Sequence, residues 1–166
     1  MSALASAGVP ELHLSADGWQ VEVVEREPGL TRVTRDGHDL HVRVGDGLPE
    51  GVGRPLRRRL RSLIVADLSA DGSVHLVTRC SPPALVVTRS GAELLPADGL
   101  PSARRSLETD DLLVMCSAST LDAHPSGVVA LLKAGPERVR HIVPARLVRE
   151  LVRGSLTGAA VVARRL

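Results

Sequence analysis

Residues 66–87 read A-D-L-S-A-D-G-S-V-H-L-V-T-R-C-S-P-P-A-L-V-V, and residues 106–122 read S-L-E-T-D-D-L-L-V-M-C-S-A-S-T-L-D. In the first stretch an apolar run over 63–68 meets Ala70-Asp71-Gly72-Ser73, whose Asp and Gly are turn residues. Residues 74–79 then return as a second strand. Pro82-Pro83 separates this hairpin from a further strand over 85–88, closed by Arg89-Ser90-Gly91. In the second stretch residues 111–116 form an almost unbroken apolar run, which suits a strand covered on both faces.

Upstream, residues 19–24 partly alternate apolar and polar side chains, as a half-buried strand does. Residues 30–33 add another strand, and Arg35-Asp36-Gly37-His38 has hairpin-turn chemistry. Residues 40–44 (L-H-V-R-V) alternate cleanly and run into Gly45-Asp46-Gly47. A short helix is predicted over 53–63: Val52, Leu56, Leu60 and Leu63 share one helical face, and Arg54, Arg57, Arg58, Arg59 and Arg61 occupy the rest.

Downstream, residues 92–95 lead into a loop rich in Pro and Gly over 96–101. A helix starting at Pro125 or Ser126 is stopped by Gly135-Pro136. Pro144 suits the first turn of a second helix over 144–152, whose stripe is Leu147, Val148 and Leu151. Residues 159–163 form the last strand. Without repeat or linker, the chain reads as one α+β domain over 19–166, mostly β, behind a flexible N-terminus over 1–18.

Composition narrows the function. The 166 residues are 43% hydrophobic and carry a net charge of +2, too small by itself to imply a nucleic-acid partner. Trp19 is the only aromatic residue, so base-stacking platforms are nearly excluded and the core must be aliphatic. Two distant cysteines, Cys80 and Cys116, indicate neither a zinc site nor a disulfide framework. No apolar run approaches a membrane span and the first ten residues do not read as a signal peptide, so the cytoplasm is the expected compartment.

The motif order resembles the metal-dependent serine/threonine protein phosphatases, the PPM family, and within them the SpoIIE-like bacterial branch. Residues 40–51 (L-H-V-R-V-G-D-G-L-P-E-G) are similar to the family's strand ending in G-D-x-x-G. Residues 66–87 are similar to its D-G hairpin and A-G-H-P-P-x-L-L-V segment, and residues 106–122 to L-x-P-G-D-x-L-L-L-Y-T-D-G-L-T-E. The terminal helix and strand match its last helix and its D-D-A-T-L-L-V-V-R strand. The resemblance implies two antiparallel β-sheets packed face to face and flanked by helices.

It also implies a chemistry. Such phosphatases hold two Mg²⁺ or Mn²⁺ ions that activate a water, and hard cations of this kind need several carboxylates. Asp46 matches the bridging Asp and Gly47 the residue whose carbonyl assists. The early Asp of the family should fall within 25–34, which contains none. Ala118 stands in place of the T-D-G carboxylate, and Thr157-Gly158 in place of the final D-D. A single surviving carboxylate cannot hold two metals, so the resemblance implies no cofactor, or Mg or Mn if activity persists. Gly45-Asp46-Gly47 also reads as a plain turn, with Asp46 capping its own backbone.

Other candidates have plain readings beside them. The strand histidines His41 and His75 read as cross-strand residues, and His38 as a turn residue. Cys116 reads as a buried small hydrophobe rather than a nucleophile. Arg57, Arg58 and Arg61 read as a solvated helix face or as a phosphate or partner contact.

Family members carry two long helices between the G-D segment and the next core strand, where this chain has about a dozen residues. One helical layer is then reduced, and the face it leaves is an expected surface for a protein partner or a homodimer. The expectation is a degenerate, catalytically inactive phosphatase domain acting as a protein-binding regulator, in the manner of sigma-factor partner switching. Its alternatives are an active phosphatase with a reduced metal site, and a nucleic-acid module using the Arg-rich helix. The near-neutral charge argues against the last, and nothing suggests a membrane partner.

Overall fold

A computed structural model describes residues 2–3, 11–27, 29–46, 62–123, 130–131, 133–153, 155 and 157–166. The strands are β1 (Ser2–Ala3), β2 (Glu11–Ala16), β3 (Trp19–Glu25), β4 (Thr31–Asp36), β5 (Asp39–Asp46) and β6 (Ser62–Ser69). They continue as β7 (Ser73–Arg79), β8 (Ala84–Thr88), β9 (Gly91–Leu95), β10 (Ser102–Ser106), β11 (Leu112–Cys116) and β12 (Ala159–Arg165). Among the described residues the helices are α1 (Ala118–Ala123), α2 (Pro136–Arg140) and α3 (Pro144–Val152), and residues 130–131 and 133–134, just before Gly135-Pro136, are also helical.

The strands form two six-stranded sheets, and all their pairings are antiparallel. Sheet A has the order β1-β4-β5-β6-β7-β10, and sheet B the order β2-β3-β12-β11-β8-β9. Strand alternation sorts the side chains. Val42, Val44, Ile64, Ala66 and Leu76 of sheet A meet Val21, Val23, Leu113, Met115 and Val161 of sheet B in one core. The alternate residues of sheet B, Val87, Leu112, Val114, Ala160 and Val162, meet Val139, Leu147, Val148 and Leu151 of α2 and α3 in a second. Burying each such aliphatic side chain is worth about 1.5–3 kcal/mol. The architecture is the two-sheet sandwich with outer helices that the motif order implies.

Local sequence explains the elements. α3 spans the residues predicted, with Pro144 in its first turn and Leu147, Val148 and Leu151 buried. Leu112–Cys116 is buried at every position, as its unbroken apolar run requires. Trp19, fully buried, donates its Nε1–H to the Ser69 carbonyl at 2.8 Å. The Arg165 guanidinium lies 5.5 Å from the Trp19 ring centroid and donates to the carbonyls of Gly18 and Ala70. This clip joins the two sheets at the end where β3 begins and β12 finishes.

Several elements differ from expectation. Residues 11–16, placed in the flexible N-terminus, form β2 and pair with β3 along its length. Their alternation is the signal, since Leu12, Leu14 and Ala16 pack against the core. β10 (S-A-R-R-S) has no apolar pattern; it is a mostly exposed edge strand held by backbone pairing to β7. Residues 92–95 are half of the β8–β9 hairpin. The helix predicted over 53–63 lies outside the described residues up to 61, and residues 62 and 63 belong to β6.

Candidate functional site

Three chain segments meet at the end of the sandwich opposite the Arg165 clip. β11 ends at Cys116 opposite Ala160, β12 begins at Ala159 opposite Glu25, and α1 starts directly after β11. α1 and β12 both pack against β5, whose last residue is Asp46. The fold therefore brings the backbone positions of Asp46, Ala118, Thr157 and Gly158 to one end. Gly47, Arg57, Arg58 and Arg61 lie outside the described residues.

Hydroxyl groups fill the centre of this end. Ser117 Oγ accepts the Ala159 N–H at 3.0 Å, and the Ser117 N–H donates to the Ala159 carbonyl at 2.9 Å. Ser117 Oγ also lies 2.9 Å from Thr120 Oγ1 and 3.1 Å from Ser119 Oγ. Thr120 Oγ1 donates onward to the Ala159 carbonyl at 3.1 Å, and Ser155 Oγ donates to the Thr157 carbonyl. Ser117, Thr120 and Ser155 are all buried. Gly158 has φ +131°, and a Cβ there would collide with Thr120 Oγ1 while lying 3.1 Å from the hydroxyls of Ser119 and Ser155.

This donor set does not fit a two-metal centre. Two hard divalent ions need several carboxylates to balance their charge, whereas these are neutral hydroxyls, Ser117, Ser119 and Thr120 bonded in a cluster and Ser155 bonded to backbone. Among the described residues no group of three His, Cys, Asp or Glu side chains is placed to hold an ion. Ala118 is half-buried at the start of α1 and Thr157 is exposed.

One carboxylate here went unremarked in the sequence. Glu25 is 4% exposed, and its Oε2 accepts both the Thr31 N–H at 2.9 Å and the Thr31 hydroxyl at 2.7 Å. It closes sheet B onto sheet A, because Thr31 pairs with Val44, two residues before Asp46. It is the first residue of the 25–34 stretch in which the family's early Asp was sought. A search for Glu as well as Asp would have found it.

The remaining candidates take their plain readings. Cys116 is buried, and burial pushes its thiol up to about 12, which removes the thiolate a nucleophile needs. His38 lies exposed in its hairpin beside Asp17. His41 and His75 flank Asp67 across β5, β6 and β7, with Nδ1 atoms 2.5 and 3.7 Å from its oxygens.

These last residues lie on the outer face of sheet A, which is mostly polar among the described residues. One cross-strand row runs Thr34, His41, Asp67, His75, Arg104, and the next Arg32, Arg43, Val65, Val77, Ser102. Burial and the neighbouring Arg32 hold the Arg43 guanidinium below its usual pKa. α2 and α3 pack on sheet B, and α1 sits between β12 of sheet B and β5 of sheet A.

The arrangement has clear structural relatives. The phosphatase domain of the cell-fate determinant SpoIIE from Bacillus subtilis matches at TM-score 0.59 and 16% identity, over 89% of this chain and 92% of that one. The chain has the PPM phosphatase fold. RsbX, solved in complex with magnesium, matches at TM-score 0.62 and 12% identity, over 93% of this chain and 98% of that one. The RsbU and RsbW domains of Rv1364c from Mycobacterium tuberculosis match at TM-score 0.62 and 12% identity, over 99% of this chain and 64% of that one. No protein-family model and no curated protein sequence matches. What this PPM-fold chain shares with these proteins is architecture.

Proposed function

We propose that this chain is a phosphatase-like regulator that acts through protein contact rather than hydrolysis. The observation that carries the reading is the hydroxyl network. Where the resemblance implies carboxylates from α1 and the start of β12, Ser117 and Thr120 bond one another and the backbone, and Ser155 bonds the Thr157 carbonyl. A site built to receive two cations would leave charged oxygens pointing into it.

The regulatory half of the reading draws on the relatives, since SpoIIE is described as a determinant of cell fate. By analogy the chain binds a phosphoprotein or its antagonist without cleaving it. A homodimer or partner contact through the outer face of sheet A would use its charged rows rather than an apolar patch. The described residues contain no helix long and apolar enough to cross a membrane, and a cytoplasmic setting is part of the proposal.

A second reading keeps a reduced catalytic site. The buried Glu25 favours it, being a carboxylate at the same end of the sandwich as Asp46. Its engagement by Thr31 weighs against it. Hydrolysis of p-nitrophenyl phosphate with and without Mn²⁺ separates the two. The regulator reading predicts no manganese-dependent turnover above buffer. Turnover that disappears in Asp46→Ala and Glu25→Gln would establish the second.

A further inference from the structure

On the outer side of sheet B, α2 and α3 border an open groove of about 910 Å³. Its floor is Leu131, Ile142, Val143, Leu147 and Leu151. Leu147 and Leu151, one helical turn apart on α3, already belong to the core beneath, and Leu131 and Ile142 are its half-buried fringe. Val143, immediately before α3, is 59% exposed. Leu147 and Leu151 are themselves buried, so the apolar surface open to water is Val143 with the half-buried Leu131 and Ile142, and it gains free energy when covered.

The rim is basic. Arg138, His141, Arg146 and Arg153 line it against the single acid Glu150. Arg153 faces Glu150 at 3.6 Å. Arg138 and Arg146 have no carboxylate partner among the described residues. Two unpaired guanidinium groups beside an apolar floor complement a ligand that is apolar along one stripe and acidic beside it.

We propose that this groove docks an acidic amphipathic helix from a partner protein. Side chains at i, i+3, i+4 and i+7 of the ligand would enter the floor, and its flanking carboxylates would face Arg138 and Arg146. Concavity favours a ridged helix over a flat bilayer, and the rim charge favours an acidic sequence over a basic or neutral one. The surface is separate from the hydroxyl cluster, so the proposal stands whether or not the chain hydrolyses phosphoesters.

The test uses the full chain and a labelled synthetic helix of about 15 residues, with Leu at the anchor positions and Glu on the flanks. Fluorescence anisotropy is expected to give a Kd on the order of 10 μM, at least about tenfold tighter than for the same helix with Lys in place of Glu. Val143→Glu and Arg146→Glu should each weaken binding at least about tenfold. Arg138→Glu is the second rim variant, and thermal melts confirm that all three remain folded. Equal binding of the two helices, no binding of either, or binding unaffected by Val143→Glu would overturn the proposal. So would sedimentation showing that the groove closes on a second copy, or uptake by phosphatidylglycerol vesicles with no uptake of the peptide.

Discussion

Ser117 and Ala159 are joined twice: the Ser117 N–H donates to the Ala159 carbonyl, and the Ala159 N–H donates to Ser117 Oγ. One residue follows β11 and the other begins β12, so the pair ties the ends of two neighbouring strands. Resemblance to the PPM phosphatases puts metal ligands at this place. A neutral hydroxyl here holds backbone to backbone and requires no cation.

Removing that hydroxyl should therefore affect stability. Ser117→Ala leaves the buried Ala159 N–H without its acceptor and Thr120 without one neighbour, a cost of about 1–3 kcal/mol. The denaturant midpoint should fall with an unchanged m-value. A midpoint unchanged in Ser117→Ala would mean that the network contributes nothing to the fold.

Gly158 should not tolerate a side chain. At φ +131° a Cβ is strained and collides with Thr120 Oγ1, so Gly158→Ala should cost about 2–5 kcal/mol. Adding Thr120→Ala removes the collision but not the strain. The double variant should then lose less than the sum of the singles, with a coupling of about 0.5–3 kcal/mol. Simple additivity would show that the contact does not set the cost.

Glu25 links the sheets through a charge-assisted pair of bonds to Thr31. Glu25→Ala should destabilise the fold by about 1.5–3 kcal/mol or more, and Glu25→Gln by less, because its amide oxygen can still accept. Equilibrium unfolding of both variants checks the order. Equal losses would mean that the contact depends on the charge and not on the acceptor.

Cys116 gives a pH prediction. Its thiol is pushed from 9.0 up to about 12, so above pH 9 the unfolded chain releases a proton that the folded chain keeps. Stability contributed by this group is present below pH 9 and is lost as pH rises toward 12, by about 1.4 kcal/mol per unit. Wild type should lose stability over that range relative to Cys116→Ala. In the native protein at pH 8 a thiol reagent should titrate only Cys80, which is exposed, and both cysteines once the chain is denatured.

The fold was legible where side-chain pattern and backbone role coincide. The buried run at 112–116, the alternation at 40–44 and the Pro-started helix at 144 each read directly as structure. β10 was not legible, because Arg104 and Arg105 give this mostly exposed edge strand no apolar alternation. α1 was missed because its six residues are too few to show a period. At the site, resemblance directed attention to Asp46, Ala118 and Gly158 and to the carboxylates expected there. It could not show what replaced them, since the hydroxyls of Ser117 and Thr120 gain meaning only when β12 brings Ala159 beside them. Glu25 stayed hidden for a similar reason: its partner Thr31 belongs to the other sheet.

The central claim is that this end of the sandwich is closed by hydroxyls and does not hold a pair of metals. Calorimetric titration of Mn²⁺ into the purified chain tests it most directly. The account predicts no two-ion isotherm and the same heats for wild type and Asp46→Ala. Two manganese ions bound per chain, and lost on Asp46→Ala, would contradict it.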